Sequence, residues 1–548
     1  MVQRSVSDAA SRNQRRQSQS VSNSPCVVTA HNELLESSIA RQLGPLAEFL
    51  VRTLNRCGPL TLKELADTLK RESFNNPLRS GNDGETDATK HTRSPIELPV
   101  TVGADVAADA AIKEVVTRLL LHRVVRYDAE SQTYSVSLGY GLFLRTLFPL
   151  VVQLFHRRYG EAGVTILMVY YQLAVIPLEQ ALRLAIERRP TLSEALRRCA
   201  QEMEVLGLVE PLHAPLAKET HAPTEAPSRQ STTTANSLAL PSLDPCQLHV
   251  GNILAEMLRE AIHRQLLMER FADASGNSSS VAVGIVDCFT KATRTRHLKE
   301  RLDGFPPMHP RVSPPVSLRA LLCEVPHDEQ AVLETLSRMC RSDGDFLVCS
   351  DGSASSGSMD GSFSFQYHSA VEAMRRDCCE RFVFARHGVL GLRLIKLLLQ
   401  HHNMEDRMLA EEAIATLPRT REVLHAMMRD GYVRQQEVPK TGTLADRLPK
   451  NSVFLWSCNL HRELLPTIRV QVATALRMTL ARLRIEREEG ANSAQPATSP
   501  LGIVAAHSSV SGVNSQGAKV NDGVNYPILA LESSASALME MMLVLDFF

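Results

Sequence analysis

The chain has 548 residues in which 60 Lys and Arg balance 60 Asp and Glu, so no overall field draws it to nucleic acid or to an anionic surface. Its eleven cysteines are scattered without a C-x-x-C pair, which argues for reduced thiols and against a disulfide framework or a zinc ribbon. The nearest approach to a membrane span, around residues 164–176, carries Tyr170, Tyr171 and Gln172 and is too short, so no membrane association is expected of a chain sized for several domains.

Residues 1–30 are rich in Ser, Gln and Arg (Arg4, Arg12, Arg15, Arg16) and lack the apolar stretch of a secretory signal. A disordered tail is the first reading and a mitochondrial presequence the second. Residues 31–138 carry the pattern of a winged helix. Leu43, Leu46, Phe49, Leu50 and Leu54 form a helical stripe, and Thr61 and Glu64 have capping-box spacing. A polar insertion fills 74–99, a helix spans 110–121, and VVRYDAESQTYSVSL reads as a hairpin. A second unit is expected over 139–212. In it Thr191 and Glu194 mark another capping box, Gly207 closes that helix, and LVEPL supplies a strand. The Pro-, Thr- and Ser-rich segment 213–245 is a linker or an extension of the preceding wing. A third unit, 246–368, contains HVGNILAEMLREAIHRQLLMERF, two further helices over VSLRALLCEVPHDEQAVLETLSRMC, and a hairpin with a long Gly/Ser tip.

The fourth unit, 369–458, is the most regular. Leu390, Leu392, Leu394, Ile395, Leu397, Leu398 and Leu399 leave only a narrow polar stripe, as in a buried helix. Asn403 is placed to cap the next helix with Asp406 three residues on, and Met408, Leu409 and Ile414 are expected to face inward. Pro418 ends that helix or opens its successor, Val423, Leu424, Met427 and Met428 form one stripe, and Gly431 is a C-terminal cap. Two β-rich segments, 432–438 and 453–456, then make a wing. A long helix over 459–489 and a C-terminal helix over 524–548 are joined by a flexible loop, 490–523. Their stripes include Leu465, Ile468, Val472 and Leu476 on one side and Leu538, Met542 and Leu545 on the other, so the two helices are expected to pair as an antiparallel hairpin or coiled coil. The fold class expected is mainly α with small β-hairpin wings: four tandem, extended winged-helix domains and a C-terminal helical hairpin.

GYVRQQEVPKT (431–441) and FLW (454–456), with EEAIATLPRTREVLHAMMRDG before them, closely resemble the last winged helix of one family. That family is the tandem-winged-helix subunit of the RNA polymerase III initiation heterotrimer, itself similar to the alpha subunit of general transcription factor IIE. The stretches from Leu142 and from His249 resemble the family in matching places, so the likeness covers about 32–489 and, more loosely, the last helix. The resemblance implies a non-catalytic, nuclear subunit of RNA polymerase III acting in initiation at small non-coding RNA genes (tRNA, 5S rRNA). It further implies two heterotrimer partners, docking on the clamp of the largest subunit, and help in binding and opening promoter DNA.

The residues themselves give no sign of catalysis. Asp343, Asp345 and Asp351 read as hairpin-turn residues before Mg²⁺ ligands; Cys378 and Cys379 diverge on a helix; and His401 and His402 sit at a helix end. GYG at 139–141 lacks the other glycines of a nucleotide loop, and neither a nucleophile elbow nor a phosphate loop is found. No catalytic residue, metal, cofactor or small-molecule substrate is therefore expected. For DNA, the face of the 419–429 helix shows Glu422, His425 and Arg429 with Arg419 and Arg421 beside them, which is only mildly basic. Lys440, Arg447 and Lys450 in the wing suit phosphate better than base edges. Residues 380–489 hold 18 basic and 13 acidic side chains, a surplus that favours weak, salt-dependent, sequence-independent contact. Most of the remaining surface is expected to bind protein. The alternative, a free-standing tandem winged-helix regulator, needs a more basic recognition helix than this one.

Overall fold

Gly44, at φ 92°, and Pro45 behind it divide the first helical stripe into two helices, α1 (Pro25–Leu43) and α2 (Pro45–Cys57). The computed structural model describes residues 25–75, 104–211, 245–271, 277–300, 312–341, 346–349, 361–439, 452–493 and 526–548. The tail expected to extend to residue 30 therefore gives way to helix at Pro25, where Val27, Ala30 and Leu34 already lie buried at helical spacing. In α3 (Leu62–Asn75) the capping box forms as expected: Thr61 N–H donates to Glu64 Oε2 at 2.8 Å and Glu64 N–H to Thr61 Oγ1 at 3.3 Å. α4 (Ala104–Leu121) leads into the antiparallel pair β1 (Val125–Asp128) and β2 (Thr133–Val136), and Leu60 bridges to Tyr134 beside it.

The second segment begins with α5 (Leu138–Gly141), a π-turn over Leu142–Thr146, and α6 (Phe148–Leu173), which breaks at Gly160 (φ 62°, ψ −149°). α7 (Leu178–Arg188) and α8 (Ser193–Val205) pack on it. The second capping box does not form. Pro190 starts a 3-10 turn that puts Leu192, not Thr191, at the N-cap of α8, and Glu194 turns forward to Arg198 at 2.5 Å. Gly207 closes the helix at φ 61°, as its position suggests. β3 (Val209–Pro211) pairs with β4 (Cys246–Leu248), Val209 opposite Leu248, so the residues between them connect two strands of one hairpin.

A third segment holds α9 (Val250–Ala261), a π-turn over Ile262–Leu267, α10 (Met268–Arg270), α11 (Asn277–Glu300), β5 (Val316–Ser317), α12 (Leu318–Glu324), α13 (Glu329–Arg341), β6 (Leu347–Cys349) and β7 (Ser362–Phe365). Its sheet has the order β5-β7-β6, and it has its own core around Ile285, Phe289, Val332, Phe346 and Phe365. Asp343, Asp345 and Asp351 lie outside the described residues.

α14 (Tyr367–His401) breaks at Gly388 (φ 68°, ψ −165°) and then buries Leu394, Ile395 and Leu398. β8 (Asn403–Glu405), α15 (Asp406–Glu412), α16 (Leu417–Arg429), β9 (Arg434–Pro439) and β10 (Ser452–Ser457) follow, with sheet order β8-β10-β9. Three expectations fail here, one of them Met428, which is 39% exposed outside the buried stripe of α16. Asn403 is spent in β8, so Glu405 stands at the N-cap of α15 and makes no side-chain cap. Met408 and Ile414 are exposed, Ile414 by 86%, because α15 ends at Glu412 and Ile414 turns the chain at φ 53°; only Leu409 of the three faces inward.

A π-turn over Leu460–Leu464 leads into α17 (Leu465–Ser493), and α18 (Tyr526–Met542) ends in another over Leu543–Phe547. α17 packs along α18, and both pack on the N-terminal part of the molecule, α17 directly against α1. Leu465, Ile468, Val472 and Leu476 are buried there, as are Met542 and Leu545, with Leu538 partly covered; Met539, Leu543 and Phe547 lie beside them in the same core. One apolar core runs through the first, second and fourth segments, α9 of the third, and this terminal hairpin. Pro527–Phe547 is also long and apolar enough to cross a membrane, contrary to the expectation from the sequence; here it lies against α17, with Ala535, Met539, Met542 and Leu543 inside the protein. The described chain is thus mainly helical, with two two-stranded and two three-stranded antiparallel sheets.

Candidate nucleic-acid and partner interface

α16 owes its position to Pro418 in its first turn and to an inner face of Thr420, Val423, Leu424 and Met427, all buried. Gly431, at φ 84°, lets the chain leave that helix for the sheet, and a β-carbon there would touch only Thr467 of α17. Tyr432 follows, fully buried, with its hydroxyl donating to the side-chain oxygen of Gln471. The turn is thereby fastened to the terminal hairpin. Trp456, the single tryptophan, is 1% exposed in the central strand β10, opposite Met404 on one side and Gln435 on the other. His425 stands edge-on to its ring at 5.2 Å. His425, read from the sequence as part of the outer face, thus also braces helix against wing.

The basic candidates of α16 reach the surface, and two of them already have acidic neighbours. Arg419 pairs with Glu422 at 2.5 Å and Arg421 with Asp406 of α15 at 2.5 Å. Arg429 is exposed and has no ion pair among the described residues. Behind it, Arg386 and His387 converge on Asp430 at 2.7 and 3.0 Å, just before the Gly388 break. The exposed pairs of Arg419 and Arg421 are worth roughly 0–1 kcal/mol, so they exchange readily for a phosphate but reduce the net charge of the face. Lys440, Arg447 and Lys450 lie outside the described residues. The strands that lead to them, β9 and β10, are paired from Arg434–Ser457 to Pro439–Ser452.

The hairpin residues named from the sequence are internal. Leu465, Ile468, Val472, Leu476, Met542 and Leu545 are covered by the protein's own helices. Two charged sites escaped the sequence reading. One is the buried cluster of His31, Arg469 and Asp546, in which His31 stands hundreds of residues from the other two. The other is Arg145, buried beside Tyr171; its one signal was a lone arginine inside the apolar run Leu142–Leu147. Among the described residues no cluster of three His, Cys, Asp or Glu side chains is placed to hold a metal, and no disulfide joins the cysteines; burial pushes the Cys378 and Cys458 thiols up to about 12.

Residues 379–458, the second half of α14 through β10, match the family described as POLR3C, C-terminal winged-helix domain. The chain is 28% identical over 125 residues to the DNA-directed RNA polymerase III subunit rpc3 of Aspergillus niger, 29% identical over 126 residues to that of Aspergillus terreus, and 28% identical over 110 residues to subunit RPC3 of Danio rerio. These likenesses cover 23%, 23% and 20% of this chain and 19% of each relative, so the matched part spans about a fifth of the relatives' length. The sheet β8-β10-β9 over α15 and α16 is therefore a winged helix of the POLR3C C-terminal type, and over about 23% of its length the chain is a distant homologue of RPC3 subunits of RNA polymerase III.

Proposed function

We propose that this chain is a non-catalytic subunit of DNA-directed RNA polymerase III, working in the nucleus at the initiation of small non-coding RNA genes. In this reading its four segments act as tandem winged helices that scaffold a heterotrimer on the clamp of the largest subunit and help bind and open promoter DNA. The observation that carries the reading is the coincidence of the family match, 379–458, with a winged helix whose last strand leads into the core-forming hairpin. Purification of the tagged chain from nuclear extract should enrich the largest polymerase III subunit and two further polymerase III-specific subunits. Recovery of the chain without them overturns the assignment.

DNA contact on this reading is electrostatic and made mainly by the wing, since two of the three α16 arginines are occupied by their own neighbours. Lys440→Gln, Arg447→Gln and Lys450→Gln together should weaken DNA crosslinking alike on unrelated promoters. They should also flatten its salt dependence by up to about one counterion for each phosphate no longer neutralised. Unchanged salt dependence and promoter opening would assign the wing to protein contact instead. A free-standing, sequence-reading regulator would lose discrimination at particular base pairs, an outcome the weak net charge of α16 does not favour.

A further inference from the structure

Arg145 leaves the π-turn between α5 and α6 and points inward, with 5% of its surface exposed. Its guanidinium lies over the Tyr171 ring at 4.9 Å and makes a long hydrogen bond, 3.5 Å, to Gln42 Oε1. Nε is buried without an acceptor, and no carboxylate pairs with the group among the described residues. An ionised side chain kept from water without a counter-charge is costly, so a structural role alone accounts poorly for it.

The guanidinium borders a small pocket, open to solvent, whose walls include Leu121, His122, Leu144, Phe148, Tyr171 and Leu248. Phe148 stacks on Tyr171 at 4.2 Å, which stiffens the wall beneath the charge. The other cations that line the pocket, Arg123 and His122, carry no free charge into it. Arg123 is held by Glu210 at 2.7 Å, and burial, helped by Arg145, lowers His122 to about 4, leaving it uncharged at neutral pH. The cavity therefore presents one positive charge inside an apolar lining, with Leu121 exposed at its mouth.

We propose that this pocket receives one carboxylate side chain, an Asp or Glu flanked by apolar residues, from a partner protein. Its chemistry selects that occupant. A single desolvated guanidinium can bond both oxygens of one carboxylate, and the leucine and aromatic walls suit apolar neighbours on either side of it. A nucleic-acid backbone needs a succession of cations along a groove, and here the second one is taken by Glu210. The inference rests on Arg145 and its surroundings, far in sequence from the winged helix, and stands or falls apart from the polymerase assignment.

The test uses the full chain and the peptide acetyl-Ala-Leu-Glu-Leu-Ala-amide, with its Gln counterpart and a single-stranded oligonucleotide as competitors, followed by saturation-transfer NMR. The Glu peptide should bind at least about tenfold more tightly than the Gln peptide. R145M should abolish that preference and leave the melting temperature unchanged or raised, because it removes an uncompensated charge. L121E, at the exposed mouth, should block the peptide by supplying a carboxylate in place and serves if R145M does not fold. Equal binding of the Glu and Gln peptides, no Arg145-dependent binding up to about 10 mM peptide, or undiminished binding by L121E would overturn the proposal. So would displacement of the peptide by the oligonucleotide, which would make the occupant a phosphate.

Discussion

The carboxylate of Asp546 lies between His31 of α1, 3.1 Å from one oxygen, and Arg469 of α17, which donates to the other. Arg375 of α14 donates to the carbonyl of Val544 two residues earlier. Burial tends to raise the Asp546 pKa, but His31 and Arg469 outweigh it and hold the carboxyl below its ordinary 3.8. A depressed carboxylate stabilises the fold above its unfolded value and ceases to do so as pH falls through the folded one. Asp546→Asn should therefore cost about 3–5 kcal/mol at pH 7, by leaving Arg469 buried without its partner. In urea unfolding the gap between wild type and variant should stay open down to pH 3.8 and narrow below it. A gap that is the same in acid would show that the charge does not matter. Nothing local in the sequence announces this site, since 515 positions separate His31 from Asp546. The exposed arginines of α16 were legible from helical spacing, whereas their pairing with Glu422 and Asp406 depends on how α15 and α16 meet.

Among the elements, periodicity worked where helices were long and failed where they stopped. Leu394, Ile395, Leu398, Val423, Leu424 and Met427 follow the 3.6-residue repeat into the core. Met408 and Ile414 do not, because a two-turn helix and a positive-φ exit carry them to the surface. These backbone positions predict effects of opposite sign. Gly388 breaks α14 at φ 68°, ψ −165°, a conformation essentially confined to glycine, with open space around it. Gly388→Ala should thus destabilise by about 1–3 kcal/mol through backbone strain alone. Ile414 is a β-branched residue in the left-handed region with no burial to offset it. Ile414→Asn should stabilise by up to about 1 kcal/mol, since Asn tolerates that conformation. Denaturation midpoints of the two variants decide the matter, and a stabilised Gly388→Ala or a destabilised Ile414→Asn would contradict the backbone argument.

At the scale of the molecule, the terminal hairpin expected from two apolar stripes is part of a larger helical assembly, because α17 lies against α1 as well as α18. The stripes were visible in the sequence. The contribution of α1 was not, since its start lies next to a Ser/Arg-rich stretch and its partner α17 is more than 400 residues away. This arrangement changes what removal of residues 524–548 should do. If the last helix only docked to a partner, its loss would leave the rest of the chain intact. Instead Ile468, Val472 and Leu476 would lose part of their cover, and the His31–Asp546 and Arg469–Asp546 pairs would vanish together. Burial of that size, at about 25 cal/mol per Å², weighs heavily against the 5–15 kcal/mol by which domains are usually stable. Amide exchange of the truncated chain should therefore lose protection in α1 and α17, at the far ends of the sequence, by tenfold or more, about 1.4 kcal/mol. The core around Phe289 and Phe365 in the third segment, which among the described residues takes Val544 and Phe548 from the C-terminus, should change less. Protection retained in α1 after truncation would mean that the N-terminal part folds without the hairpin and that the continuous core is not a single cooperative unit.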